Sequence, residues 1–154
     1  MEDERTPGGE GDGRAQVGAE VIIAIASSAD IVTARQRGRA LSATLGFSSS
    51  ELTLIATAIS ELARNIVQYA QRGEIGLRLV ERDGQCGIAI QARDDGPGIA
   101  DSRRVLQGGY STSRSLGLGL SGVKRLMDEF ELDSKVGHGT MVTAHKWTRE
   151  YKRS

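Results

Sequence analysis

Apolar and polar positions follow two rhythms along this chain, and the changes between them mark its elements. Val21–Ala26 is an unbroken apolar run rich in β-branched residues and predicts a buried strand. From Asp30, a residue suited to capping a helix, Ile31, Ala34, Gly38, Leu41 and Leu45 recur at helical spacing, and Gly46 stands where a C-cap belongs. Ser48–Ser50 lead into the longest periodic segment, with Leu52, Ile55, Ile59, Leu62 and Ile66 on one stripe. It predicts a helix to about Gln71, with Gly73 just beyond its end. Alternation over Glu74–Arg82 and Cys86–Arg93, around Asp83-Gly84, is the pattern of a β-hairpin. Asp101–Gln107 reads as a short helix or turn and Gly108–Leu118 as a loop. Gly119–Phe130 reads as a helix through Val123, Leu126, Met127 and Phe130. Glu131–Val136 and Thr140–Trp147 read as a last strand pair joined by Gly137-His138-Gly139.

Helices mixed with hairpins predict an α+β fold, a two-layer sandwich with helices on one face of a mixed, largely antiparallel sheet. At 154 residues the chain suffices for one core. The expected organisation is a tail over 1–18, one domain over 19–148, and a short C-terminal tail over 149–154. The first tail holds Glu2, Asp3, Glu4, Glu10 and Asp12 against Arg5 and Arg14 and lacks apolar periodicity, so it is expected to be mobile.

Charge narrows the function. Lys plus Arg and Asp plus Glu both number 20, and this balance excludes a globally basic nucleic-acid or membrane-surface binder. No apolar run approaches the roughly twenty residues of a membrane span, and the acidic N-terminus is not a signal peptide, so a cytoplasmic location is expected. Cys86 is the lone cysteine, without partners for a disulfide or a cysteine metal site. Glycine is in excess, at 20 residues in 154 against a usual share of about 7%. It clusters between Gly96 and Gly139, where short spacings suggest loops with unusual backbone angles or close ligand approach.

Three segments carry candidate chemistry. On the long helix, Glu61 and Asn65 lie one turn apart on the flank of the apolar stripe, a carboxylate and an amide able to serve a proton and a hard cation. The pair equally fits a solvated helix face with a Glu61–Asn65 or Glu61–Arg64 contact. Asp94-Asp95-Gly96-Pro97-Gly98 follows a strand: it is either a carboxylate and bare backbone facing a flat ligand, or a plain turn. The Gly- and Ser-rich run from Gly108 to Leu120 enters a helix, as a phosphate-binding loop or a flexible connector does. Neither the P-loop spacing nor the dinucleotide-binding G-x-G-x-x-G fits it.

The order of these segments, a helix with Glu and Asn, strand–Asp-x-Gly-x-Gly, a Gly-rich lid entering a helix, then Gly137-His138-Gly139-Thr140, resembles the ATP-binding domain shared by histidine kinases, Hsp90-type chaperones, gyrase and mismatch-repair ATPases. The likeness spans roughly residues 20–148. Within that superfamily, Ile59-Ser60-Glu61-Leu62-Ala63-Arg64-Asn65-Ile66 and Gly122–Phe130 resemble the RsbT-type switch kinases. These are small protein serine/threonine kinases, related to anti-sigma factor kinases, that act on STAS-domain proteins of bacterial stress signalling.

The resemblance implies that Asn65 ligates Mg²⁺ at the phosphates of ATP and that Glu61 polarises the hydroxyl of a protein serine or threonine. It implies further that Asp94 accepts the adenine amino group, with Gly96 and Gly98 admitting the base and Thr140 supporting it. Ser111 and Thr112 fall in a lid over Ser111–Leu118, and Gly117 and Gly119 present backbone amides to the phosphates. Arg114-Ser115 departs from the further glycines of many relatives and leaves Arg114 facing either phosphate or partner. His138 and His145 are expected as bystanders, so the acceptor hydroxyl is expected from another protein. The implied function is an ATP-dependent kinase of a STAS-domain antagonist, able afterwards to engage a phosphatase or sigma-factor regulator. The alternative is a non-catalytic, nucleotide-binding anti-sigma module.

Overall fold

In a computed structural model, residues 14–16, 18–98 and 119–148 are described. The elements are strands β1 (Arg14–Gln16) and β2 (Val21–Ile25), helices α1 (Ser28–Ala43) and α2 (Ser49–Tyr69), strands β3 (Gly73–Arg82) and β4 (Gln85–Asp94), helix α3 (Gly119–Leu126), and strands β5 (Glu129–Lys135) and β6 (Gly139–Trp147). The six strands form one sheet in the order β3–β4–β6–β5, with β1 and β2 sharing the outer edge of β3. Every described pairing is antiparallel, so the parallel pair that a mixed sheet would hold is not among them. The fold is α+β, as expected.

The strand periodicity sorts the two faces. Ile23, Ile25, Ile75, Leu77, Ile88, Ile90, Ala92, Val142 and Ala144 face the helices and join Ile55, Ile59, Leu62 and Ile66 of α2 in one core. Burying each isoleucine, leucine or valine among them contributes about 1.5–3 kcal/mol, which makes this layer the main source of stability. α2 lies at its centre, with contacts to α1, α3 and the sheet. Gly38 permits the α1–α2 approach, because a Cβ there would overlap the Ile59 side chain. The other sheet face carries polar residues, with Arg93 pairing to Glu74 at 2.6 Å and to Glu20 at 2.5 Å.

Local signals hold in most places. Ser48 caps α2 through a bond from the Glu51 N–H at 3.1 Å, while Glu51 accepts from the Ser48 N–H, a reciprocal capping box. Asp83-Gly84 turns the β3–β4 hairpin with both residues at positive φ, whereas α1 ends at Ala43 with Thr44 as its C-cap, and Gly46, expected in that place, takes the left-handed conformation two residues further on at φ +86.

Four further expectations need correction. The N-cap of α1 is Ser27. Asp30 sits in the first turn, where its carboxylate accepts the Ala26 and Ser27 N–H groups, and the Ala26 bond leads in holding its pKa below the usual range. α2 stops at Tyr69, Gln71 takes the left-handed turn at φ 72, and Gly73 begins a strand. The last helix is shorter than its spacing suggests. Lys146 donates to the Leu126 carbonyl at 2.9 Å and Asp128 N–H bonds to His145, so the chain turns into the sheet and Phe130 lies in β5. Arg14–Gln16, expected within a mobile tail, pair with Val80–Arg82, where β3 extends beyond β2 and its backbone groups would otherwise be open. The segments 99–118 and 149–154, including the expected short helix at Asp101–Gln107, lie outside the described residues.

Candidate functional site

α2 is a long, capped, central helix, and it sets Glu61 and Asn65 on one flank. Glu61 is buried at 7% exposure, which excludes the solvated-face reading, although the predicted contact with Arg64 is present at 2.6 Å. Its other oxygen faces the N-terminus of α3, where the Gly119 N–H lies 3.4 Å away. Gly119, at φ +69, can take the left-handed conformation that opens the helix there. Asn65, one turn on, is half-buried.

Asp94 ends β4. Its Oδ1 accepts the Gly96 N–H at 2.8 Å, leaving Oδ2 for another donor. In register it lies opposite Gly73 on one side and Thr140 on the other. Gly73 joins the helix and strand halves of the site, because a Cβ placed there would stand 3.0 Å from the Asp94 Cβ and 3.1 Å from Cγ2 of Ile66, the neighbour of Asn65. The Thr140 hydroxyl is 2.8 Å from that of Ser134 on β5.

The glycines of the 94–98 turn have a reason that spacing did not supply. A Cβ on Gly96 would lie 2.6 Å from the Ala70 Cβ at the end of α2. One on Gly98, at φ +80, would overlap the Lys135 carbonyl, and one on Gly139 would overlap the Asp94 carbonyl. Gly137 N–H also bonds to the Pro97 carbonyl at 2.8 Å. The turn is thus clamped between α2 and the β5–β6 connection, and the glycines are needed for that packing as well as for any face they offer a ligand.

Glu61, Asn65, Asp94, Gly96, Gly98, Gly119 and Thr140 therefore come from α2, the end of β4, the start of α3 and the start of β6. Ser111, Thr112, Gly117 and Arg114 lie outside the described residues. Arg64, which the spacing marks only as a helix-face contact of Glu61, makes the short bond to its carboxylate. Among the described residues no group of three or more His, Cys, Asp or Glu could hold a metal unaided. Asn65 offers one amide oxygen, a hard donor that Mg²⁺ could take alongside waters and substrate phosphates in place of its more usual carboxylate.

The fold, with helices over an antiparallel sheet, is that of a known class. Residues 25–146 match the Histidine kinase-like ATPase domain family, and the chain belongs to that family. Within it, the chain is 55% identical over 120 residues to Serine/threonine-protein kinase RsbT of Bacillus subtilis, covering 78% of this chain and 90% of that protein. That likeness identifies the chain as a protein serine/threonine kinase of the same type. It is also 31% identical over 114 residues to the Anti-sigma F factor of Caldanaerobacter subterraneus, covering 70% and 78% of the two chains. A crystal structure of the RsbU and RsbW domains of Rv1364c from Mycobacterium tuberculosis shares the fold, with a TM-score of 0.59 at 19% identity over 89% of this chain. The chain spans about a third of that longer protein (35%).

Proposed function

We propose that this kinase transfers the γ-phosphoryl group of ATP to a serine or threonine of a STAS-domain antagonist protein in a bacterial partner-switching pathway. The buried Glu61 carboxylate carries the reading, held on α2 one turn from Asn65 and with one oxygen only loosely bonded. Asp94 would accept the adenine amino group through Oδ2, with Thr140 beside it and the clamped 94–98 turn as the surface under the base. Gly119, with Ser111, Thr112 and Gly117, would face the phosphates. Asn65 would hold Mg²⁺ through its amide oxygen, and the cation when bound neutralises phosphate charge. Glu61 would orient the acceptor hydroxyl and take its proton as the new O–P bond forms and the bond to the β-phosphate oxygen breaks, releasing ADP. Such transfer depends mostly on positioning and charge stabilisation, so these few side chains suffice.

Location in the cytoplasm is part of the same reading, together with release of the kinase after modification to engage a downstream phosphatase or sigma-factor regulator. Among the described residues no helix is long and apolar enough to cross a membrane. The likeness to the Anti-sigma F factor supports a second reading, sequestration of a sigma factor with nucleotide as a structural ligand. Incubating the chain with Mg-ATP and a panel of STAS-domain proteins, followed by mass spectrometry, separates the two. A phosphoserine or phosphothreonine on a panel member supports the kinase reading. An unmodified panel, with the chain held in a stoichiometric complex with a sigma factor, supports the other.

A further inference from the structure

We propose that Arg64 is a positioning residue for phosphoryl transfer, holding one oxygen of Glu61 so that the other is presented to the acceptor hydroxyl. This inference rests on the reading of Glu61 as the base.

The two carboxylate oxygens of Glu61 are not equivalent. Oε2 accepts from Arg64 Nη1 at 2.6 Å, the short distance of a charge-assisted bond. Among the described residues Oε1 has only the Gly119 N–H at 3.4 Å, longer than the 2.7–3.2 Å of a well-formed N–H···O bond, so it keeps acceptor capacity toward the start of α3. On a helix turning about 100° per residue, Arg64 lies about 60° to one side of Glu61 and Asn65 about 40° to the other. The three side chains share one arc of α2, with Asn65 free to serve the nucleotide while Arg64 fixes the base.

Exposure separates this from a surface ion pair. The Glu61 side chain is 9% exposed and the Arg64 side chain 37%, so the arginine reaches from the rim onto a buried carboxylate. An exposed pair at this spacing adds little to a helix. A buried carboxylate that loses its short bond, however, gains rotational freedom about its last torsion, which is broad and lacks sharp wells. Small misplacement of a reacting group can cost about a hundredfold in rate. The planar guanidinium also fixes direction in a way that a lysine ammonium does not.

The test is the kinetics of transfer from Mg-ATP to the STAS-domain protein that accepts phosphate, or to water where no panel protein does. Arg64→Ala should lower kcat at least tenfold while KM for ATP and the affinity for Mg-ADP stay within about twofold. Arg64→Lys should recover part of the loss. In a Glu61→Ala background, Arg64→Ala should cause no further loss, because a residue acting through another has nothing left to position. Arg64→Gln, which keeps most of the stem, replaces the alanine variant if the latter does not fold. An Arg64→Ala kcat within twofold of wild type, while Glu61→Ala abolishes transfer, overturns the role of Arg64 and leaves the base reading standing. Parallel loss of kcat, nucleotide affinity and melting temperature in both Arg64→Ala and Arg64→Gln marks a structural role and overturns it too. Full transfer by Glu61→Ala overturns the base reading itself, and this inference with it.

Discussion

Two of the arginine–carboxylate pairs that close at 2.6 Å, Glu61–Arg64 on α2 and Glu129–Arg82 across the sheet, are finished in opposite ways. Glu129 takes a second bond from Arg82 at 3.1 Å and the Trp147 indole N–H at 3.2 Å, and the His145 ring lies 3.4 Å away. The Arg82 guanidinium in turn stacks 4.6 Å above the Trp147 ring, which lies parallel to His145. The hydrogen bond from Arg82 leads in holding the Glu129 carboxyl below the usual glutamate range. Glu61 is more deeply buried but has one short bond and one long one. A carboxylate whose acceptor sites are filled by neighbours serves the fold. One kept buried with an oxygen in reserve fits the catalytic role we propose for Glu61.

The contrast breaks most sharply at Glu61. Glu61→Ala should lower phosphoryl transfer at least about a hundredfold, the lower end of what a general base contributes, while Mg-ADP binding stays within about twofold. Single-turnover transfer and calorimetry read the two separately, and equal loss of both would remove the distinction between the pairs. Asn65→Ala comes next: nucleotide affinity should lose its dependence on Mg²⁺, seen by titrating ADP with and without the cation.

Gly96→Ala tests the clamp at the other end of the site. Its Cβ would press on Ala70, and overpacking of this kind costs about 1–3 kcal/mol, readable in urea unfolding. Glu129→Gln should have the smallest effect, on stability alone. Because the folded-state pKa of Glu129 is lowered, its stabilisation is present above the ordinary glutamate value near 4.3 and is lost as pH falls through the lowered one. The side chain is 40% exposed, so screening keeps the effect modest. Wild type should therefore melt slightly above the variant at pH 7, with the gap closing as acid protonates Glu129 and with transfer unchanged at pH 7. A gap that widened in acid would reverse the sign and contradict the assignment.

What the residues announce depends on how far their partners lie along the chain. The α2 stripe and the Asp83-Gly84 hairpin are local patterns and appear where they are expected. Burial of Glu61 is not local. A periodic stripe marks one face of a helix, and only the flanking positions of α1 and α3 bury the rest of α2. Likewise Phe130 continues a helical spacing, but pairing of β5 with β6 claims it. The Glu129–Arg82 pair spans 47 positions and leaves no trace in any short window. Gly96 and Gly98 were visible as a motif, whereas the contacts with Ala70 and Lys135 that require them come from distant elements. Arg64 was visible at i+3 from Glu61, but nothing in that spacing separates a positioning contact from a decorative one. The difference lies in the burial of Glu61.

The most direct measurement is calorimetric titration of Mg-ADP and Mg-ATP into the wild type and Asp94→Asn, with folding checked in both. Asp94 placed to accept the adenine amino group predicts nucleotide binding by the wild type and an affinity lower by about ten- to a hundredfold in the variant, the weight of one hydrogen bond to a charged group. Equal affinity in the two proteins, or no binding by a folded wild type, would contradict it.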